Sequence, residues 1–531
     1  MPKKREQGKM FKLRLKKCNS LRKFVVIQVK TKKKLGGTEM FRRVSISVIL
    51  CLLTLQVGVA QQPGEISYHD ESVFPSGKKG ERIQALIDTV NANDPDRVRQ
   101  FVQEHFTEKF RNFAPIDQHI DVFLGFFRET GGIDFHSIRT YVPERKRETI
   151  VILKDRLLES WMALTVRFDE KNDFLINGAS FNTARTPSNV KESTITEKQL
   201  LQEVKDMMQR LTKADVFSGT LLIAKGDKVL LSFVGGEASK RFHVPNNMDT
   251  KFNLGSMNKM FTATSIMQLV EKDLLALDDP ISKYVDESWL PKDVTSKITI
   301  HHLLTHTSGL GSYFNETYMK GSRDLFRSVD DFKPLVQGEK LAFEPGSRFR
   351  YSNTGMLLLG VVIESVTGES YFDYVHKNIY EPAGMKNSDS YEMDYPVENL
   401  AIGYSPERKS PYGWQNNLYK HVIKGGPAGG GFSTVGDLHR FALAIQSGKL
   451  VSKESLNKLW KDHTGENYGY GFRLSEGPYG TVVGHSGGFD GINGSLAIYL
   501  DMGYIVAVLS NYDRGASPVA RKIEDLLSRI K

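Results

Sequence analysis

The chain has 531 residues and a formal net charge of +10, but the positive charge is concentrated at its beginning. Residues 1–43 contain 16 Lys and Arg against 2 Asp and Glu, whereas residues 61–531 contain 56 against 60, a balance of −4. Because most of the chain has no basic excess, its composition excludes the charge pattern of a nucleic-acid-binding protein. The cysteines are Cys18 and Cys51, so residues 61–531 have no disulfide framework, cysteine nucleophile or cysteine metal site.

Residues 1–60 are predicted to be a leader. Val44 to Ala60 form an uncharged apolar run that ends in Val-x-Ala, and Met40-Phe41-Arg42-Arg43 precede it. A basic stretch, an apolar stretch and a small-residue cleavage site together predict a secretory signal peptide, with Met40 as the expected true start. We therefore expect an exported protein, periplasmic or secreted. An uncleaved membrane anchor is the less favoured alternative, because the run is near the lower length limit for a span.

Residues 61–184 are predicted to form a small α+β accessory domain. Three amphipathic helical patterns come first, and strand-like runs with a period of two follow near 135–142, 149–153, 161–168 and 174–180. Helices followed by antiparallel strands are typical of an α+β domain, and the order is similar to a cystatin or nuclear-transport-factor-2-like cone. His105, His119 and His136 are scattered, so no chemistry is predicted here. We expect a helper or docking domain whose partner the sequence does not identify.

A polar, unpatterned stretch at 185–198 is predicted to link this domain to a second one, 199–531. Two strands surround a turn at Gly226-Asp227, and further strand-like runs lie at 468–473, 481–484, 495–500 and 504–510. Between these two ends, residues 250–465 are mainly helical. The arrangement predicts an antiparallel sheet made from both ends of the domain and an inserted helical region. An active site would lie in the cleft between the two parts.

The inserted region begins with Ser256 and Lys259, at the start of a helix that is apolar on nearly all sides. Residues three apart lie on one helical face, so the hydroxyl and the amine can touch, as in an S-x-x-K nucleophile. The same pattern also starts at Ser20, Ser76, Ser188 and Ser455. An isolated match is more simply an N-cap serine with an unrelated lysine, so the prediction depends on partners elsewhere.

Tyr351-Ser352-Asn353 supplies the first partners. These residues stand on a loop before an apolar helix, where a phenol and an amide can face a cleft. Beside a lysine ammonium the Tyr351 phenolate is stabilised, and the pair can move a proton. Tyr313-Phe314-Asn315 is a rival in a polar loop and ranks lower.

His485-Ser486-Gly487-Gly488 supplies the second set of partners at the end of a predicted strand. We expect His485 to reach the cleft, and the N–H groups of Gly488 and Ser256 to form a two-donor oxyanion hole. His463 is a rival that lacks a preceding strand. Gly484 to Gly488 also match the G-x-S-x-G elbow of α/β-hydrolases, but no histidine follows position 485, which excludes that order of residues.

A third stretch contains His301, His302 and His306. A metal site is an alternative there, but no acidic ligand lies nearby, so a helix and turn at the rim of the cleft are favoured. We predict no metal and no organic cofactor.

Four ordered motifs resemble the class C β-lactamase and penicillin-binding-protein family of serine hydrolases. They are Ser256-x-x-Lys259, Leu304 to Leu310, Tyr351 to Gly355 after Pro345-Gly346, and Gly484 to Gly488. The resemblance covers about residues 200–530 and implies a β-lactamase/transpeptidase-like fold and an acyl-enzyme mechanism. It implies a nucleophile at Ser256 and a proton-transferring pair of Lys259 and Tyr351. It places His485 in the catalytic group and Asn353, Ser486 and Gly487 at the substrate.

The third motif departs from the family pattern, because His485 stands where the β-lactamases proper carry the lysine of Lys-Thr-Gly. Histidine is largely neutral at pH 7, so its grip on a substrate carboxylate should be weaker. This departure favours a D-Ala-D-Ala-type peptidase or an esterase over a β-lactamase proper. A catalytically silent binding protein of the cell envelope is a further alternative. The expected partners are a peptide, ester or β-lactam substrate and cell-wall peptidoglycan, with a membrane tether left open by the leader.

Overall fold

The computed structural model describes residues 67–145 and 147–531. The predicted signal peptide, its start at Met40 and both cysteines lie outside these residues. Among the described residues, no helix combines the length and the apolar character needed to cross a membrane.

Residues 67–183 form a small α+β domain, as predicted. Its elements are β1 (Ser67–Glu71), α1 (Gly77–Ala92), α2 (Pro95–His105), α3 (Glu108–Arg111), α4 (Ile116–Thr130), β2 (Ile133–Val142), β3 (Thr149–Asp155), β4 (Trp161–Asp169) and β5 (Leu175–Thr183). The strands form one antiparallel sheet in the order β1-β2-β3-β4-β5. The helices cover one face of it, because Ile83, Phe101 and Ile120 pack with Val151 and Leu164. Strand β1 was not predicted, since its sequence has no apolar alternation.

The first part of the predicted linker is held against this domain. The Ser188 N–H donates to Asp70 Oδ2 at 2.8 Å, and the Asp70 N–H donates to Ser188 Oγ at 2.9 Å. Asp70 also forms a buried ion pair with Arg139, with 3.0 Å between Nε and Oδ1. The chain around Ser188 therefore follows the accessory domain before it enters the larger one.

The larger domain is built on a six-stranded antiparallel sheet. Its strands and the shorter ones around it are β6 (Gly219–Lys225), β7 (Lys228–Gly235), β8 (Glu237–Ser239), β9 (Val244–Pro245), β10 (Phe252–Asn253), β11 (Tyr404–Pro406), β12 (Trp414–Asn416), β13 (Phe432–Ser433), β14 (Arg473–Gly477), β15 (Gly480–Phe489), β16 (Ile492–Tyr499) and β17 (Tyr504–Ser510). The sheet has the order β14-β15-β16-β17-β6-β7. Pairing of β17 with β6 joins the two ends of the domain, which confirms the predicted sheet.

Helices cover both faces of this sheet. They are α5 (Glu197–Lys213), α6 (Asn258–Glu271), α7 (Lys292–Thr295), α8 (Ile300–Leu304), α9 (Glu316–Lys320), α10 (Lys333–Val336), α11 (Asn353–Thr367), α12 (Tyr371–Val375), α13 (Glu381–Ala383), α14 (Val435–Gln446), α15 (Lys453–Leu459) and α16 (Ser517–Leu527). Short 3₁₀ turns lie at Gly255–Met257, Ile281–Lys283, Arg323–Leu325 and Asp330–Phe332, and a π turn at His376–Tyr380. Helices α5 and α16 pack on one face, and the inserted helices, with the buried α6 and α11 at their centre, pack on the other.

The predicted strand at 468–473 has the wrong bounds, because β14 begins at Arg473. A Cβ atom on Gly471 would lie 2.5 Å from the Lys259 backbone oxygen, so this segment packs tightly against α6 instead of joining the sheet. As a result Tyr468 is buried in the interior.

Helix α4 of the accessory domain contacts the larger domain. Arg408 Nε lies 2.6 Å from Asp121 Oδ1, and Arg514 Nη1 lies 2.9 Å from Glu129 Oε2. The Arg128 guanidinium stands over the Trp414 ring, 5.0 Å from its centroid. Helix α4 therefore meets the β11–β12 hairpin through opposite charges and one cation–π contact.

Candidate active site

Ser256 lies in the 3₁₀ turn that leads into α6. This turn is held at both sides, since the Leu254 N–H donates to Gly431 O at 2.7 Å and the Gly430 N–H donates to Gly255 O at 3.1 Å. Ser256 is half-buried, while Met257 and the residues after it are buried. The hydroxyl thus stands at the point where a buried helix reaches solvent.

Lys259 is fully buried, and its amine contacts three oxygen atoms. The Nζ atom lies 3.1 Å from Ser256 Oγ and 3.0 Å from Asn353 Oδ1, and it donates to the Ala428 carbonyl. Burial, followed by the charge of Arg473, holds the pKa of Lys259 well below its usual value. A neutral amine has two N–H groups and one lone pair. The two N–H groups match Asn353 and Ala428, which leaves the lone pair to accept the Ser256 hydroxyl proton.

Asn353 connects the lysine to the rim of the cleft. Its Nδ2 donates to Ser312 Oγ at 3.1 Å, while its Oδ1 accepts from Lys259. Ser352 caps α11 by accepting the Gly355 N–H at 2.8 Å, which fixes the start of the helix that carries Asn353. The amide is therefore oriented by contacts on both of its ends.

Tyr351 stands beside Lys259, with the amine 4.9 Å from the centroid of its ring. Burial raises the pKa of Tyr351 to about 12, although a hydrogen bond with Ser256 and the charge of Arg473 oppose the rise. The resting tyrosine is thus a neutral phenol. This differs from the expected stabilised phenolate, because burial disfavours the charged forms of both Tyr351 and Lys259.

His485 is buried, whereas the sequence predicted that its side chain reaches the cleft. Its Nδ1–H donates to Ser486 O at 2.6 Å, and its Nε2 accepts from the Tyr468 hydroxyl at 3.2 Å. Burial, with the charges of Arg473 and Lys259, holds its pKa well below the usual value. The neutral ring lies 6.5 Å from the Tyr351 ring, centroid to centroid. These contacts favour a positioning role beside Tyr351.

The strand β15 runs directly against the Ser256 turn. A Cβ atom on Gly487 would lie 1.8 Å from Leu254 O and 3.1 Å from Ser256 N, so only a glycine permits this approach. A Cβ atom on Gly255 would lie 3.0 Å from Gly488 N. The backbone N–H groups proposed for an oxyanion hole, those of Ser256 and Gly488, are therefore neighbours. Ser486 is half-buried on the opposite face of the strand from Gly487.

Three further residues, which the sequence did not predict as part of the site, adjoin this group. The His306 ring lies tilted against the rings of Tyr351 and Tyr468, with 4.4 Å and 4.7 Å between centroids. Its Nδ1 accepts the Ser352 N–H, and its buried Nε2 has no partner. Tyr468 contacts His485. Arg473 lies 5.8 Å from the ring centroids of both Tyr351 and Tyr468. The sequence places His306 in a helix and turn at the rim of the cleft, but nothing in its local pattern indicates the contact with Tyr351.

Arg473 is the charged group of this cluster. Its Nε is buried without a hydrogen-bond partner, and among the described residues its guanidinium forms no salt bridge. A guanidinium carries its charge at neutral pH, whereas burial disfavours the charged forms of the surrounding lysine, tyrosine and histidine side chains. An unpaired cation in a cleft is suited to bind an anionic group of a ligand.

The rival motifs have structural explanations. Tyr313 is buried, and Asn315 caps α9 by accepting the Tyr318 N–H at 3.0 Å. His463 stacks on Tyr470 with 4.1 Å between ring centroids. Ser486 lies inside β15 and not at a strand-to-helix elbow. Within residues 67–145 and 147–531, no three His, Cys, Asp or Glu side chains are grouped so as to hold a metal ion.

Comparison with known proteins agrees with this architecture. The model of the family "Beta-lactamase" matches residues 202–528. Penicillin-binding protein 4* of Bacillus subtilis (strain 168) is 31% identical over 327 residues, which cover 58% of this chain and 71% of that protein.

Solved structures give the same result. A penicillin-binding protein from Bacillus halodurans matches with a TM-score of 0.55 and 33% identity, over 62% of this chain and 98% of that one. A D-stereospecific amidohydrolase from Streptomyces matches with a TM-score of 0.51 and 26% identity, over 60% and 96%. The fold, the cleft and these matches together show that the chain belongs to the β-lactamase family of serine hydrolases.

Proposed function

We propose that the protein hydrolyses amide bonds of D-amino-acid peptides that end in a free carboxylate, through an acyl-enzyme on Ser256. The observation that carries this proposal is the environment of the Lys259 amine. Its N–H groups are taken up by Asn353 Oδ1 and Ala428 O, so its lone pair is directed to Ser256 Oγ at 3.1 Å. A neutral amine in this position is a general base for the serine hydroxyl.

In the acylation step, Ser256 Oγ attacks the carbonyl carbon as its proton passes to Lys259 Nζ. The N–H groups of Ser256 and Gly488 stabilise the negative charge that develops on the carbonyl oxygen. When the carbon–nitrogen bond breaks, the leaving amine needs a proton. The neutral hydroxyl of Tyr351, which stands beside Lys259, donates it and is reprotonated from Lys259. Water then attacks the acyl-enzyme with the same groups in reverse roles and releases the acid.

The unpaired charge of Arg473 supports a substrate with a carboxylate. The sequence predicted a weak grip on such a group, because His485 replaces a lysine. Arg473 lies beside the same tyrosine from the neighbouring strand β14 and supplies the missing cation. Among relatives, a penicillin-binding protein and a D-stereospecific amidohydrolase share the fold, which agrees with a D-amino-acid substrate.

The test compares three substrates: a peptide ending in D-Ala-D-Ala, the same peptide as its C-terminal amide, and p-nitrophenyl acetate. We expect wild type to release D-Ala from the first, and Ser256→Ala and Lys259→Met to lose at least about a thousandfold in kcat. The matched control is Ser76→Ala, because Ser76 starts another S-x-x-K pattern on an exposed helix end. Full activity of Ser256→Ala would refute the proposal. Turnover of a β-lactam in place of the peptide would favour a β-lactamase. Binding of the peptide without turnover would favour a catalytically silent binding protein.

We further propose that the protein is exported by means of residues 44–60 and that residues 67–183 act as a docking domain in the cell envelope. The absence of cysteine after position 51 and the near-neutral charge balance of residues 61–531 are compatible with this location. Fractionation of cells with determination of the mature N-terminus tests it. Intact Val44–Ala60 in a membrane fraction would instead support a tether.

A further inference from the structure

Two phenylalanine rings face each other at the edge of the cleft. Phe314 belongs to the loop after α8, and Phe489 ends β15, so the two come from the inserted region and from the sheet. Their rings are stacked at 22°, with 5.8 Å between centroids. Phe314 is 37% exposed, and Phe489 is half-buried. The pair thus bridges the two parts of the domain at the surface.

Contacts beneath Phe314 hold its ring in place. It packs edge-on against the buried Tyr318 at 4.8 Å and lies tilted against Tyr313 at 4.7 Å. Ser312, two residues before it, accepts the Asn353 amide that also contacts Lys259. The Phe314 N–H donates to the same Ser312 Oγ at 3.4 Å, so the loop that carries Phe314 is connected through Asn353 to the proposed general base.

Phe489 is placed by the turn that follows it. The Asp490 carbonyl accepts the Asn417 Nδ2–H at 2.9 Å, and the Gly491 N–H donates to Asp513. Phe489 directly follows Gly488, whose N–H lies next to the Ser256 turn. Phe489 therefore stands one residue beyond the Gly488 N–H of the proposed oxyanion hole.

The position of Arg473 determines which part of a substrate meets this pair. Arg473 is paired with Gly484, which is five residues, or about 17 Å, from Phe489 along β15. Gly488 lies between them and close to Phe489. A substrate whose carboxylate reaches Arg473 and whose scissile carbonyl reaches Gly488 extends its acyl group past Phe489.

We infer that Phe314 and Phe489 form the subsite for the acyl side chain and select acyl donors with an aromatic or large apolar group. This inference rests on the proposed acyl-enzyme function and adds its specificity. Two stacked rings held from below offer apolar and π surfaces to such a group, whereas an acetyl group is too small to contact both. The pair should therefore affect the choice of acyl group more than the rate of the chemical step.

The test measures kcat/KM for p-nitrophenyl phenylacetate and p-nitrophenyl acetate, which share a leaving group and differ in the acyl group. For Phe314→Ala and Phe489→Ala we expect the phenylacetate-to-acetate ratio to fall about tenfold, the effect of losing a contact of about 1.4 kcal/mol. Phe489→Leu, which keeps an apolar side chain, should fall between wild type and Phe489→Ala, and it provides the test if the alanine variant does not fold. The control is Phe113→Ala, because Phe113 is 79% exposed on the accessory domain.

An unchanged ratio in the variants at both positions, with normal turnover of acetate, would overturn the subsite and leave the proposed function intact. If wild type turned over neither ester and formed no adduct at Ser256, the proposed function would fail, and the subsite with it. The two failures are thus distinguishable.

Discussion

Arg473 stands over the ring of Tyr351, with 5.8 Å between the guanidinium carbon and the ring centroid. This one relationship places a permanent positive charge beside side chains whose charged forms burial disfavours. It gives the cleft a preference for anionic groups.

Arg473→Gln should therefore reduce kcat/KM for the D-Ala-D-Ala peptide by about 10- to 100-fold, the loss of a charge-assisted hydrogen bond of about 1.5–3 kcal/mol. The C-terminal amide of the same peptide lacks the anionic group and should be affected far less. Steady-state kinetics on both peptides measure the difference. Equal losses on the acid and the amide would contradict a carboxylate-binding role.

The charge of Arg473 also predicts a pH effect. Lys259 acts as a base only when it is unprotonated, so kcat/KM should fall as the pH drops through its lowered pKa. Removing the nearby cation in Arg473→Gln raises the pKa of Lys259, and the acid limb should move to higher pH. The uncharged p-nitrophenyl acetate serves as substrate, so that carboxylate binding plays no part.

The control for this profile is Arg348→Gln, because Arg348 is an exposed cation of the same domain. Its acid limb should coincide with that of wild type. If the acid limb of kcat/KM stayed in place or moved to lower pH in Arg473→Gln, Arg473 would not act on Lys259 through its charge.

Close contact between β15 and the Ser256 turn predicts a steric effect. A Cβ atom on Gly487 would lie 1.8 Å from Leu254 O, so Gly487→Ala must displace the strand or the turn. We expect a destabilisation of about 1–3 kcal/mol and acylation slowed at least about tenfold, because Ser256 and Gly488 move apart. Gly338→Ala is the matched control, since no atom lies within 4 Å of its added Cβ. Acylation of Gly487→Ala at the wild-type rate would disprove the close approach.

The interface of the accessory domain predicts a contrast between two substitutions. Trp414 contacts the Tyr512 ring at 4.4 Å as well as Arg128, so Trp414→Ala should lower the free energy of unfolding by about 1–2 kcal/mol. Arg408→Ala removes exposed ion pairs and should lower it by less than about 1 kcal/mol. Chemical denaturation of both variants measures this. A larger effect for Arg408→Ala would mean that charge, and not the aromatic contact, holds the domains together.

How much of the site the sequence predicts depends on whether its residues are close in the chain. Ser256 and Lys259 are three residues apart on one helix, and Tyr351 and Asn353 flank the cap of another, so local patterns were sufficient to select them. The structure brings these four together. The antiparallel sheet was predicted in the same way, from local strand patterns at both ends of the domain.

Residues that reach the site through distant pairings could not be predicted in this way. Arg473 is placed by the register of β14 against β15, opposite Gly484, and nothing in its local sequence marks it. The strand pattern before His485 predicted that its side chain reaches the cleft, but it could not predict that Tyr468 covers it. Tyr468 comes there because the segment around Gly471 leaves the predicted strand to pack on α6.

The most direct test of an acyl-enzyme on Ser256 is the intact mass of the purified protein after brief exposure to a penicillin or to p-nitrophenyl phenylacetate, followed by an acid quench. We expect one acyl adduct on wild type, located at Ser256 by peptide mapping, and none on Ser256→Ala. An adduct of the same yield on Ser256→Ala, or one mapped to another residue of wild type, would contradict it.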